Sequence, residues 1–271
     1  MADRVDIKMP TTWNELTRQQ LIKICGLYPQ AIELSEFLSL AVFHLTGLKL
    51  VDRLSKDTVH QFKYNGKPVV MDTFTFATFC NSAMFLVEKP TLTLQKIPFI
   101  RILGFKYIGP SDMLWNMTFG EWLQVDIYMQ HYSRTKERKY LQLAVACMYR
   151  REDKKKQRSN SYDGDPRRAF NEYLVEKQSL KFKWVPMDTL RAVSIFFSGS
   201  MEALKEKFPL TLHESTGEVG RDLLKDTLSM IDQLNNDDVT KNEAIQRTRL
   251  YDVLAKLEMT RERAKLLSKK Q

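Results

Sequence analysis

The sequence predicts a mainly α-helical protein: a multi-helical body carrying one or two small β-hairpins, followed by a smaller helical C-terminal domain. Apolar residues recur at three- and four-residue spacing along most of the chain, the mark of helices with a buried face. The 271 residues include 10 glycines and 9 prolines, too few for a sandwich rich in tight turns. The hairpin signals fall between about 60 and 110. Residues 1–150 are expected to form the helical N-terminal domain, 151–168 a basic linker or loop, and 169–271 the helical C-terminal domain.

The clearest helix start lies in the stretch from Met113 to Arg150. Thr118 and Glu121 stand in the S/T-x-x-E arrangement of a capping box, with Met117 and Trp122 placed as a hydrophobic staple. Trp122, Val125, Met129 and Tyr132 then recur at helical spacing, as do Phe119, Leu123 and Ile127. A helix apolar over so much of its circumference is wrapped by other elements. A charged break from Arg134 to Lys139 leads to a second helix, with Leu141, Ala144, Val145 and Met148 on one face. This helical hairpin is the expected core.

Before it, an extended arm over residues 1–9 ends at Pro10. Thr12 and Glu15 predict a second capping box ahead of Trp13, Leu16, Leu21, Ile24 and Leu27. A further helix starts near Pro29 and stops at Gly47, with His44 in its apolar stripe as a core histidine. Asn65-Gly66 between two short apolar runs predicts a type I′ hairpin, and Asp72 a cap for a helix reaching Glu88. Residues 91–110 read as an irregular extended segment or one small hairpin.

Beyond 150 the chain is polar and basic to 168. Helices are expected at about 167–178 and 187–197, then Ser198-Gly199-Ser200 and a short helix to Phe208. A loop at 213–220 precedes helices near 218–235 and 241–268, the last begun by a third capping box, Thr240 with Glu243. No internal repeat at a 20–50-residue period is evident.

Catalytic signatures are missing. The chain has no phosphate-binding glycine loop, no dinucleotide fingerprint, no zinc-protease helix and no nucleophile elbow. Cys25, Cys80 and Cys147 are far apart in apolar contexts, so neither a disulfide framework nor a zinc site is indicated. His44, His60, His131 and His213 are scattered, and no cofactor is expected. Glu36 with Asp52, or Glu121 with Asp126, are the acid–base pairs one could imagine; a cap explains Glu121 and an exposed helix face Asp126. The first ten residues lack the apolar core of a signal peptide, and the longest uncharged run, Thr73 to Val87, is too short to span a bilayer, so a cytosolic protein without a membrane partner is expected.

Forty-two basic against thirty-three acidic residues give a net charge of +9 and an isoelectric point near 9.3. The excess concentrates in the last helix and in the linker, where Lys154, Lys155, Lys156, Arg158, Arg167 and Arg168 are candidate contacts to a partner or to nucleic acid. A solvated loop diluted by acidic residues is the competing reading of the same segment.

Four segments together carry a family resemblance: WNELT at 13–17, NMTFGEWLQVDIYMQHY at 116–132, LAVACMYRR at 143–151 and LYDVLAKLEM at 250–259. The series resembles uncharacterised tail and tail-assembly module proteins of tailed bacteriophages and prophages. The lysine-rich insert at 153–158 departs from that pattern, which has a tighter arginine-proline turn there. The resemblance implies a non-enzymatic structural or assembly protein of the tail or head-tail module. It would bind other phage structural proteins, or copies of itself, in the host cytoplasm or the virion. The alternatives are a nucleic-acid-binding accessory protein that uses the basic linker, and an enzyme with dispersed catalytic residues.

Overall fold

The computed structural model describes residues 5–30, 33–54, 59–160, 162–212, 234 and 238–268. Helices α1 (Arg18–Leu27) and α2 (Leu34–Thr46) come first. A three-stranded sheet, β1 (Lys49–Leu54), β2 (Val59–Tyr64) and β3 (Lys67–Asp72), leads into α3 (Thr73–Ser82). Strands β4 (Phe99–Ile102) and β5 (Phe105–Ile108) precede the paired helices α4 (Phe119–Thr135) and α5 (Arg138–Met148). Then follow β6 (Arg150–Arg151), α6 (Lys154–Gln157), α7 (Val175–Ser179), α8 (Met187–Lys207), α9 (Asn242–Arg247) and α10 (Leu250–Ser268). Both sheets are antiparallel, in the orders β1-β2-β3 and β4-β5-β6. The mainly helical class with minor β structure is therefore as expected.

The α4–α5 hairpin lies at the centre. Thr118 caps α4 by accepting from the Glu121 amide at 3.3 Å. Lys136, at φ 57, ends the helix and donates its amide to the Tyr132 carbonyl. Leu141, Ala144, Val145 and Met148 of α5 are all buried. Helix α1 packs on α2 and α8, α8 on α5, and α9 and α10 on α4. The division expected near residue 150 does not follow this packing. Helix α8 binds to elements from the first half, and buried side chains from both halves form one hydrophobic cluster. Helix α1 reaches the central hairpin through α8, while α9 and α10 pack on α4 directly, so buried residues from both ends of the described chain belong to one core.

The β2–β3 and β4–β5 hairpins each turn on two left-handed residues, Asn65 (φ 50) with Gly66 (φ 81) and Leu103 (φ 48) with Gly104 (φ 80). The first is the predicted type I′ signal. The second resolves the 91–110 segment as a hairpin, to which β6 adds a third strand.

Several helix boundaries differ from the sequence reading. The capping box of α1 is Thr17 with Gln20, while Glu15 accepts from the Thr11 amide at 2.7 Å instead. Thr240 donates to Asp238, and Glu243 pairs with Arg247, so the third box does not form. The helix expected from 241 to 268 breaks at Thr248, because Thr118 and Arg249 form a β-bridge: the Phe119 amide bonds to the Thr248 carbonyl, and the Leu250 amide to that of Met117. The helix expected to reach Glu88 ends at Ser82. Ser198-Gly199-Ser200 does not interrupt α8; a Cβ on Gly199 would lie 2.4 Å from the Leu92 amide nitrogen, so glycine admits a crossing chain there. The expected loop at 213–220, with His213, and nearly all of the helix near 218–235 lie outside the described residues.

Candidate interaction surface

The basic stretch is a pinned excursion between two ends of one antiparallel pairing. The Asp153 amide donates to the Pro166 carbonyl and the Arg168 amide to the Arg151 carbonyl, both at 2.9 Å. Asp153 caps α6 by accepting from the amides of Lys155 and Lys156. Lys154, Lys155, Arg158 and Arg168 are exposed, and Lys156 is half-buried with its ammonium 2.9 Å from Asp163. The Arg249 guanidinium donates to the Asp163 carbonyl at 2.7 Å, tying the excursion to the start of α10.

Arg167 is the correction within this group. Its side chain is 0% exposed, so it contacts neither a partner nor nucleic acid. Its Nη1 donates to Glu121 Oε1 at 2.7 Å and to the Met148 carbonyl at 2.9 Å; Nε donates to Asp165 Oδ1 at 2.9 Å and Nη2 to the Asn116 carbonyl at 2.8 Å. Arg150 Nη2 donates to Glu121 Oε2 at 3.0 Å. Two arginines and two carboxylates thus balance formally inside the core. Burial works against the Arg167 charge, but Glu121 and Asp165 outweigh it and raise its pKa above the ordinary arginine value. For Arg150 burial prevails over Glu121 and lowers the pKa. Glu121 therefore holds the network and does not reach back to the Thr118 amide as a capping-box partner would. The sequence hides this, because the four charged residues lie on three separate segments.

The other candidate chemistry is also accounted for. Glu121 is enclosed by arginines, and Asp126 is half-buried and accepts from Gln130 at 2.7 Å, so the two carboxylates serve different partners. His44 is half-buried, and desolvation followed by Lys23 lowers its pKa. Burial raises the thiols of Cys25, Cys80 and Cys147 away from the reactive range. Among the described residues no group of three or more His, Cys, Asp or Glu could hold a metal ion, and no helix is long and apolar enough to cross a membrane. An open groove between Val5–Ile7 and β3 contains Asp72, which is committed to capping α3 through the Thr75 amide.

Among the described residues, the turns from 172 to 184 carry two strongly exposed aromatic side chains. Val175, Ser179, Phe182 and Val185 face inward. Tyr173 (87% exposed), Leu180 (67%) and Trp184 (65%) face out, interleaved with Lys177 and Lys181. The segment is apolar on both faces, and one face has no described neighbour to cover it. The helix expected at about 167–178 ends short of Leu180 and Trp184, and the second face is not foreseen; its signal is a short run with apolar residues at too many helical positions. Comparison with protein-family models, curated proteins and solved structures finds no match to this chain.

Proposed function

We propose that the chain is a non-enzymatic structural or assembly protein of a tailed bacteriophage, acting through protein–protein contacts in the host cytoplasm during particle assembly. The observation that carries this reading is the outward face of Tyr173, Leu180 and Trp184, set on turns whose opposite face is packed into the core. Rigid aromatic side chains on an ordered support are the usual anchors of protein interfaces, because they bury large area at little entropic cost. The partner is another structural protein of the particle or a second copy of this chain. The phage assignment rests on the four-segment sequence resemblance, and the contact mode on the exposed face.

The test is complementation of a phage that lacks the gene, with particles analysed by mass spectrometry. The wild-type chain should restore particle yield. Tyr173→Ser/Trp184→Ser should retain its circular dichroism and melting temperature yet weaken the partner contact by roughly 30-fold, the effect of losing about 2 kcal/mol at a hot spot. Full particle yield with this variant, or without the gene, would overturn the reading.

A further inference from the structure

A second cluster of side chains, on residues other than those of the 172–184 turns, points to a further ligand. Phe99 on β4 is ringed by three cations from three elements. The Arg18 guanidinium, from the first residue of α1, lies 5.6 Å from the ring centroid, that of Arg101 5.5 Å and the Lys106 ammonium 5.0 Å. No two of these charges are therefore farther apart than about twice the distance of one from the ring. None of the three forms an ion pair with a carboxylate among the described residues. All three residues are exposed.

Two of these cations also break a local rule. Arg101 stands directly opposite Lys106 in the β4–β5 register, so two like charges share one face of a hairpin. Such a pair opposes strand pairing, where an opposite-charge pair would favour it. From Thr91 to Pro110 the chain has Lys96, Arg101 and Lys106 and no acidic residue to relieve the repulsion. At the tip, Leu103 takes a left-handed conformation and is 73% exposed, and Phe105 is half exposed beneath the Arg151 guanidinium, 4.1 Å from its ring. Repulsion between unpaired cations, beside aromatic rings at an exposed hairpin, is what an incoming polyanion with flat groups would relieve. Phosphates take the cations, and bases stack on rings or guanidinium planes.

We infer that the β4–β5 hairpin, with Arg18 and Arg151, is a binding site for single-stranded nucleic acid. The site is distinct from the lysine-rich excursion at 154–158, where Lys156 is already paired with Asp163. The contacts are to phosphate and to base faces, so binding is tolerant of sequence and falls steeply with salt.

The test is fluorescence anisotropy of a labelled oligothymidylate titrated with the full-length chain over a salt series. Arg101→Gln/Lys106→Gln should bind more weakly and show a slope of log affinity against log salt shallower by about 0.7 for each cation removed. Lys106→Glu converts the like-charge pair to an attractive one; it should melt no lower than the wild type while losing affinity, which separates binding from folding. Lys154→Gln/Lys155→Gln should leave affinity and slope unchanged. The inference is overturned if the wild type does not bind at about 50 mM salt, if the hairpin variants bind as the wild type does, or if the lysine control loses as much. Equal competition by polyglutamate would also overturn it, in favour of an acidic protein segment.

Discussion

Glu121 and Arg167 meet at 2.7 Å inside the core, although 46 residues separate them in the sequence. Through this pair the first turn of α4 is fastened to the end of the basic excursion. Arg167 donates to two carboxylates and to the carbonyls of Asn116 and Met148, so one side chain joins the chain before α4, the end of α5 and the segment leading to α7. A buried ion group of this kind adds little net stability over an apolar packing of the same volume, but losing one member leaves a charge uncompensated.

Glu121→Gln tests that arrangement. It preserves volume and leaves two buried arginines facing Asp165 alone. The expected loss is roughly 3–5 kcal/mol, as for breaking a buried ion pair. Were Glu121 only a helix cap, the cost would be about 1 kcal/mol. Urea denaturation distinguishes the two, and a loss near the smaller figure would show that Glu121 acts as a cap and does not hold the two arginines.

Local signals in the sequence were legible and long-range ones were not. The α4–α5 hairpin, the Asn65-Gly66 turn and the Asp72 cap depend on residues within a few positions of one another, and each forms as expected. The Thr12 and Thr240 boxes give way to nearer partners, since Glu15 takes the Thr11 amide and Thr240 donates to Asp238, whereas the Ser198-Gly199-Ser200 break and the unbroken last helix give way to distant ones. Leu92 crosses at Gly199, and Thr118 bridges Arg249 to end α9 early. Charge patterning misleads at Arg167, whose neighbours include Asp165 but give no sign of Glu121, 46 residues away in the core. The Phe99 cluster was equally hidden, since Arg18 lies more than eighty residues before Arg101.

The central helix gives a ranked prediction. Trp122 is 4% exposed, with its indole Nε1 3.0 Å from Met201 Sδ. Trp122→Ala should cost roughly 3–5 kcal/mol through lost apolar contact and the cavity left behind. Thr118→Ala removes one cap hydrogen bond and should cost about 1 kcal/mol. Chemical denaturation of the two variants gives the order, and a Trp122→Ala chain as stable as the parent would place the indole outside the core.

Gly199 offers a steric test. A methyl group there would sit 2.4 Å from the Leu92 nitrogen and 2.5 Å from its carbonyl oxygen, and backbone cannot swing aside as a side-chain tip can. Alanine normally favours a helix over glycine by about 1 kcal/mol. Here the sign reverses, and Gly199→Ala should lose at least the roughly 1–3 kcal/mol typical of overpacking. A thermal melt unchanged or raised by the substitution would show that α8 and the 91–93 chain separate freely.

Asp126 should give the protein a stability that depends on pH in the mildly acid range. Burial, opposed by the Gln130 hydrogen bond and by Lys205, pushes its carboxyl up to about 6 from an ordinary 3.8. The folded chain therefore holds this proton to higher pH than the unfolded chain does. The group's contribution to stability is fully present below about pH 4, is lost as pH rises through about 6, and stays lost above that. Because the side chain is only half-buried, the total is discounted from about 3 to roughly 1–2 kcal/mol. Asp126→Asn retains an oxygen to accept from Gln130 and has no proton to lose. Its stability should match the wild type near pH 4 and exceed it at pH 7, as read by urea denaturation at the two pH values. A constant difference between the proteins across that range would mean that Asp126 does not titrate there.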